Sequence, residues 1–254
     1  MSNIRAESFR ARLVAGERLV GTFIKTPHPV VVEVVAGGGL DCLCIDAEHA
    51  PFDRHDIDLA MLAGRAHDLP MLVRVPSNDA HTLLSVLDLG ACGVVLPHVT
   101  NAETAAAAAA ACRYGHNGRG YAGTPRASGY STGSLTDNMA RANAYVAVMA
   151  QIEDADALGH LEEIAAVAGI DALFVGRMDL TVSLGASSPM DPRVIAAVQR
   201  ICAAGRSQGR AVGMFAPDIT EARNWIDAGA SFFLLESEHQ WMLQGARELA
   251  RVMR

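Results

Sequence analysis

Short, continuous apolar runs recur along the chain, and most are followed by a stretch with helical spacing. The runs Leu19–Lys25, Cys42–Asp46, Met71–Val75, Gly93–Pro97, Val146–Glu153, Asp171–Gly176, Ala211–Ala216 and Ser231–Glu236 predict eight strands. Most are solidly apolar rather than alternating, as expected for parallel strands covered on both faces. Helices are predicted over Asp53–His67, Asp79–Asp88, Asn101–Arg113, Asp154–Ala166, Pro192–Gln208, Asp218–Asp227 and His239–Val252. Several open on Asp or Asn, whose side-chain oxygens accept from the orphan amides of a first turn. The alanine run 105–111 favours a close-packed helix over disorder. Gly37-Gly38-Gly39 precedes the second strand, so it reads as a helix stop and turn rather than a phosphate cradle.

Eight strand–helix units without a linker or composition shift predict an α/β fold, a single (β/α)8 TIM barrel over residues 1–254. An open doubly wound sheet is the rival; the visible eighth strand and closing helix favour the barrel. The longest non-repeating stretch, Gly115–Ala144, precedes the fifth strand and is expected to reach an interface or cover the barrel mouth.

Composition narrows the function classes. The chain has 254 residues, is half hydrophobic and carries a net charge of -7. Scattered arginines on an acidic background argue against a nucleic-acid partner, which requires a clustered basic face. No apolar run approaches the ~18 residues of a membrane span, and Met1–Val20 mixes Arg and Glu without a signal-peptide core. A soluble, cytoplasmic protein with no membrane partner is expected. Cysteines 42, 44, 92, 112 and 202 form no CxxC pair, which predicts buried free thiols in a reducing compartment.

Barrel chemistry sits at the C-terminal ends of strands. Glu153 and Asp179 fall at adjacent strand exits, where two carboxylates repel unless a proton or a hard divalent cation lies between them. The alternative is a helix cap and an arginine partner. Arg74 interrupts an apolar strand and needs an anion, either a substrate carboxylate or enolate or a structural partner such as Asp46 or Glu153. His49 follows Asp46 and Glu48 and could act as a base. Lys25, the single lysine, ends the first strand; it is either a Schiff-base nucleophile or, as favoured here, an incidental surface residue. Other histidines, such as His55 and His81, fall on helix surfaces and receive no role.

The ordered set Ile45-Asp46-Ala47-Glu48-His49-Ala50-Pro51, Val73-Arg74-Val75-Pro76, Leu87-Asp88-Leu89-Gly90-Ala91-Cys92-Gly93-Val94, Arg126-Ala127-Ser128, Gln151-Ile152-Glu153 and Asp179-Leu180-Thr181-Val182-Ser183-Leu184-Gly185 resembles the HpcH/HpaI family of metal-dependent class II pyruvate aldolases. That family includes 4-hydroxy-2-oxoheptanedioate and 2-dehydro-3-deoxyglucarate aldolases. The resemblance implies that His49 accepts a proton and that Asp46 and Asp88 support it, Asp88 across a subunit contact. It implies that Arg74 stabilises an enolate and that Glu153 and Asp179 hold Mg²⁺, Mn²⁺ or Co²⁺. Gln151 and the loop Gly176, Arg177, Met178, Asp179 would contact a 2-oxo acid and aldehyde substrate. A homo-oligomer is implied, a hexamer built as a trimer of dimers, with the C-terminal helix within His239–Arg254 exchanged between subunits. Two features depart from the family pattern: Arg177-Met178 in the substrate loop, expected to add a cation beside the metal, and the paired Glu236 and Glu238. A citrate-forming or acyl-CoA-dependent carbon–carbon lyase is the alternative, and a Schiff-base aldolase using Lys25 a further one.

Overall fold

A computed structural model describes residues 4–253. Strands β1 (Leu19–Ile24), β2 (Cys42–Asp46), β3 (Met71–Arg74), β4 (Gly93–Leu96), β5 (Ala147–Ile152), β6 (Ala172–Val175), β7 (Ala211–Ala216) and β8 (Phe232–Ser237) lie at the predicted positions. They pair in parallel, in sequence order, and β8 closes on β1. The expected (β/α)8 barrel is therefore the fold, and the open sheet is excluded.

Period-two alternation divides the strands between two cores. One set, including Cys42, Cys44, Leu72, Met149, Phe174, Phe232 and Leu234, fills the barrel interior. The alternate set, including Leu43, Ile45, Val73, Val148, Leu173 and Val175, packs under the helices. The interior is filled to contact: a Cβ added at Gly213 would come within 2.6 Å of the Phe232 ring. All five cysteines are free and buried, as expected. Burial pushes the thiols of Cys92 and Cys112 up to about 12 and that of Cys202 to about 11.

The predicted helices are α3 (Arg54–Ala66), α4 (Ala80–Asp88), α5 (Ala102–Ala111), α7 (Leu161–Ala166), α9 (Pro192–Ser207), α10 (Ile219–Ile226) and α11 (Glu238–Val252). Asp53, Asp79, Asn101, Asp191 and Asp218 cap their first turns. The stretch expected as one helix from Asp154 instead begins with a 3₁₀ turn, Ala155–Gly159, ahead of α7. Four helices lie outside the predicted set: α1 (Ile4–Val14), α2 (Pro29–Ala36), α6 (Leu135–Tyr145) and α8 (Arg177–Ser183). Helix α2 ends on Gly37, in line with the helix stop read there.

Helix α1 caps the N-terminal end of the barrel. Phe9 and Leu13 are fully buried, and the Phe9 ring meets Phe232 edge-on at 5.9 Å. Arg10 (2.7 Å) and Arg113 (3.0 Å) converge on buried Asp171 at the same end. Residues 115–144, which include most of α6, connect α5 to β5 and so belong to this end. They do not cover the mouth of their own barrel, because an αβ connection always returns to the strand N-termini. No helix among the described residues is long and apolar enough to cross a membrane.

Candidate active site

At the C-terminal end of the barrel the inward-facing strand positions become polar. Asp46 continues the Cys42, Cys44 row; Arg74 continues Leu72; Gln151 and Glu153 continue Met149. Period-two alternation therefore aims these side chains along the barrel axis without any special loop geometry. Of these, Arg74 and Gln151 edge a cavity of about 440 Å³ whose wall also includes Lys25, His49, Gly176, Arg177, Met178 and Asp179.

Asp46 is fully buried. Its Oδ1 accepts from Arg74 Nε (3.0 Å) and Nη2 (2.8 Å), and its Oδ2 lies 3.1 Å from Lys25 Nζ. Burial works against the charged carboxylate, but Arg74 and Lys25 outweigh it and hold the pKa below the ordinary value. Asp46 touches His49 through the backbone, accepting its amide at 3.2 Å, not through the imidazole. The His49 ring is half exposed, with Nε2 3.7 Å from Glu48 Oε2. Arg74 Nε also lies 3.3 Å from that oxygen, and its guanidinium stacks 4.6 Å from the Phe23 ring centroid. Lys25 is thus not the incidental surface residue expected from its place at a loop start. It is part of the cavity wall and an ion-pair partner of Asp46.

Glu153 is 2% exposed. Oε1 accepts from the His98 amide at 2.8 Å, and Oε2 accepts from the Gln151 side-chain amide. Burial raises its pKa. Among the described residues, the ionisable nitrogen within 4 Å of this carboxylate is His98 Nδ1, at 3.5 Å. Gly176 makes room for it, since a Cβ there would stand 2.6 Å from Glu153 Cβ and 2.8 Å from Oε2. Asp179 stands exposed in the first turn of α8, in the wall of the same cavity. The group whose ligand atoms lie within 4.8 Å of one another is Glu48, His98 and Glu153. Two carboxylates this close, one of them buried and met mainly by neutral donors, suit a divalent cation.

One expectation changes at this point, and two further residues are placed. Arg177 adds no free cation, because it is buried and ion-paired with Glu221. Asp88 ends α4, at the opposite end of the barrel from His49, and pairs with buried Arg119. Glu238 is structural: it is buried and accepts the amides of Lys25 (2.8 Å) and Thr26 (2.6 Å), pinning the β1 exit, while Glu236 accepts from the Trp241 indole. Sequence reasoning passed over His98 and Asp154 and gave Glu48 no role of its own. The signal for His98 was its place directly after the β4 run.

Residues 19–243 match the HpcH/HpaI aldolase/citrate lyase family. The chain belongs to this family. It is 38% identical to the hydroxypyruvate/pyruvate aldolase of Paraburkholderia phytofirmans, with 96% of each chain covered. It is 34% identical to the 5-keto-4-deoxy-D-glucarate aldolase of Klebsiella pneumoniae, over 91% of this chain and 90% of that one. The crystal structure of an HpcH/HpaI family protein from Burkholderia cenocepacia superposes with a TM-score of 0.92 at 35% identity, covering 98% and 99% of the two chains. Curated relatives in this family are named as aldolases, enzymes that make and break carbon–carbon bonds.

Proposed function

We propose that the protein is a divalent-metal-dependent class II pyruvate aldolase, a carbon–carbon lyase that cleaves or forms 4-hydroxy-2-oxo acids from pyruvate and an aldehyde. The observation that carries this reading is the buried Glu153 carboxylate beside Gln151, at the barrel end where His49 and Arg74 line a substrate-sized cavity. Glu153 and Asp179 would hold Mg²⁺, Mn²⁺ or Co²⁺. Such an ion supplies Lewis-acid polarisation of the 2-oxo group. His49, its Nε2 3.7 Å from Glu48 Oε2, takes the proton of the C4 hydroxyl. The C3–C4 electron pair moves onto the pyruvate fragment as the aldehyde leaves. Arg74, fixed by Asp46, presents its guanidinium to the enolate oxygen. A proton returns to C3 to give pyruvate. Gln151, Gly176, Arg177 and Met178 shape the substrate side of the cavity.

We further propose a cytoplasmic homo-oligomer, a hexamer built as a trimer of dimers, in which α11 is exchanged. Support comes from the helix itself: Met242, Leu243, Leu249 and Val252 are exposed on it. The assay is a panel of aldehydes with pyruvate after chelator treatment, with and without Mg²⁺, Mn²⁺ or Co²⁺. The reading expects turnover to vanish on chelation and return with the ion. Undiminished turnover after chelation would overturn it. The citrate-forming or acyl-CoA-dependent alternative, kept open by the family's breadth, predicts no proton exchange at the pyruvate methyl group without aldehyde.

A further inference from the structure

His98 occupies a position that no part of the reading above uses. It leaves β4 in the left-handed region, with φ 52°, and this turns its ring toward the carboxylates of β5 and the β2 exit. Its Nδ1 lies 3.0 Å from Asp154 Oδ2. With Nδ1–H donating there, Nε2 carries the free lone pair, and it faces Glu48 Oε1 at 3.8 Å. An imidazole oriented through Nδ1 by one carboxylate, here Asp154, with Nε2 turned to another, here Glu48, is the usual arrangement of a metal-ligating histidine and its supporting acid. The ligand atoms of Glu48, His98 and Glu153 are close enough for one ion to share.

We infer that His98 is a nitrogen ligand of the divalent ion, oriented by Asp154, and that it sets the ion preference of this protein. The inference rests on the proposal that Glu153 holds that ion. An all-oxygen site suits Mg²⁺, whereas an imidazole nitrogen tilts the site toward Co²⁺ and other borderline ions. Glu48 enters as a partner on the same side, one of its oxygens held by Arg74 and the other facing His98.

The test is Co²⁺ and Mg²⁺ titration of the chelator-treated protein, by calorimetry and by the visible absorption of bound Co²⁺. The variant His98→Asn keeps a residue type that tolerates positive φ and removes the imidazole. The expected result is a fall in Co²⁺ affinity of about 10-fold or more, a shifted Co²⁺ absorption band and a smaller change for Mg²⁺. Asp154→Asn retains the ligand but loses its orienting charge, and lowers Co²⁺ affinity within the range of about 10–100-fold typical of such partners. Glu153→Gln separates the two levels of argument. If it abolishes binding of both ions while His98→Asn binds and absorbs like wild type, the inference about His98 is overturned and the aldolase reading stands. If Glu153→Gln binds both ions normally, the metal assignment falls and the His98 inference falls with it.

Discussion

Asp46 and Arg74 are register partners across the β2–β3 ladder, and both arginine bonds converge on the single oxygen Oδ1 at 3.0 and 2.8 Å. The pair places a guanidinium at the cavity edge while satisfying a carboxylate that has no access to water. Arg74→Ala would remove the main counter-charge of Asp46. We expect a loss of about 3 kcal/mol of stability, at the low end of the range for breaking buried pairs because Lys25 remains. Aldolase turnover should fall by roughly 10²–10³. Denaturant melts and steady-state kinetics measure the two separately, and a stable variant with most of its activity would remove Arg74 from the mechanism. Arg74→Lys should not rescue turnover, since a point charge cannot reproduce the fork.

The same pair predicts an acid dependence. The folded Asp46 pKa lies below the unfolded one because Arg74 and Lys25 outweigh burial. Its stabilisation is therefore fully present above the unfolded value of about 3.9 and is lost as pH falls further, through the folded pKa. The stability difference between wild type and Asp46→Asn should be flat between about pH 5 and 8 and shrink below about 4. A difference that declines already between pH 8 and 6 would contradict this.

Gly176 predicts a separation of folding from function. A methyl group there meets Glu153 Cβ at 2.6 Å and Oε2 at 2.8 Å, so Gly176→Ala must displace the carboxylate. Overpacking of this kind costs about 1–3 kcal/mol. The variant should fold, as judged by circular dichroism, and lose divalent-ion binding and turnover together. Normal ion affinity in a folded Gly176→Ala protein would show that Glu153 is not held where the ion sits.

Lys25 lies in the cavity wall, so the Schiff-base reading deserves a direct trial. Its Nζ is engaged by Asp46 at 3.1 Å, an ion pair that imine formation would have to break. Borohydride with pyruvate should leave the intact mass unchanged. A reduced pyruvyl adduct on Lys25 would reverse the choice between the two aldolase chemistries.

Much of the architecture is legible in the sequence, because buried parallel strands are solid apolar runs and their helices open on Asp or Asn caps. The inward row is legible too: Cys42, Cys44, Asp46 and Met149, Gln151, Glu153 step by two, so the last polar member of each run marks the mouth. Helix α1 has a readable stripe in Ala6, Phe9 and Leu13, but it lies ahead of the first strand–helix unit and belongs to no repeat. What stays hidden is pairing between distant segments. Arg177 looks like a free substrate-binding cation until Glu221 is seen beside it. Lys25 looks incidental until β1 and β2 are aligned and Asp46 comes within 3.1 Å. His98 depends on a positive φ, which no residue type near it announces.

The last relationship concerns Asp88 and His49, which one chain keeps at opposite ends of its barrel. Asp88 is tied to Arg119 at the end of α4, so it can support the His49 imidazole only in a neighbouring subunit. This gives a sharp expectation for mixtures. His49→Ala and Asp88→Asn proteins should each form the oligomer and each have low turnover. In an oligomer assembled from both, some contacts bring a wild-type His49 from one chain against a wild-type Asp88 from the other, and those sites regain function. Co-refolding or co-expression of the two variants should therefore recover a fraction of wild-type activity that neither shows alone, with size-exclusion chromatography confirming the mixed assembly. If mixed oligomers form and remain as inactive as their parents, the two residues do not act in one site, and Asp88 is confined to its ion pair with Arg119.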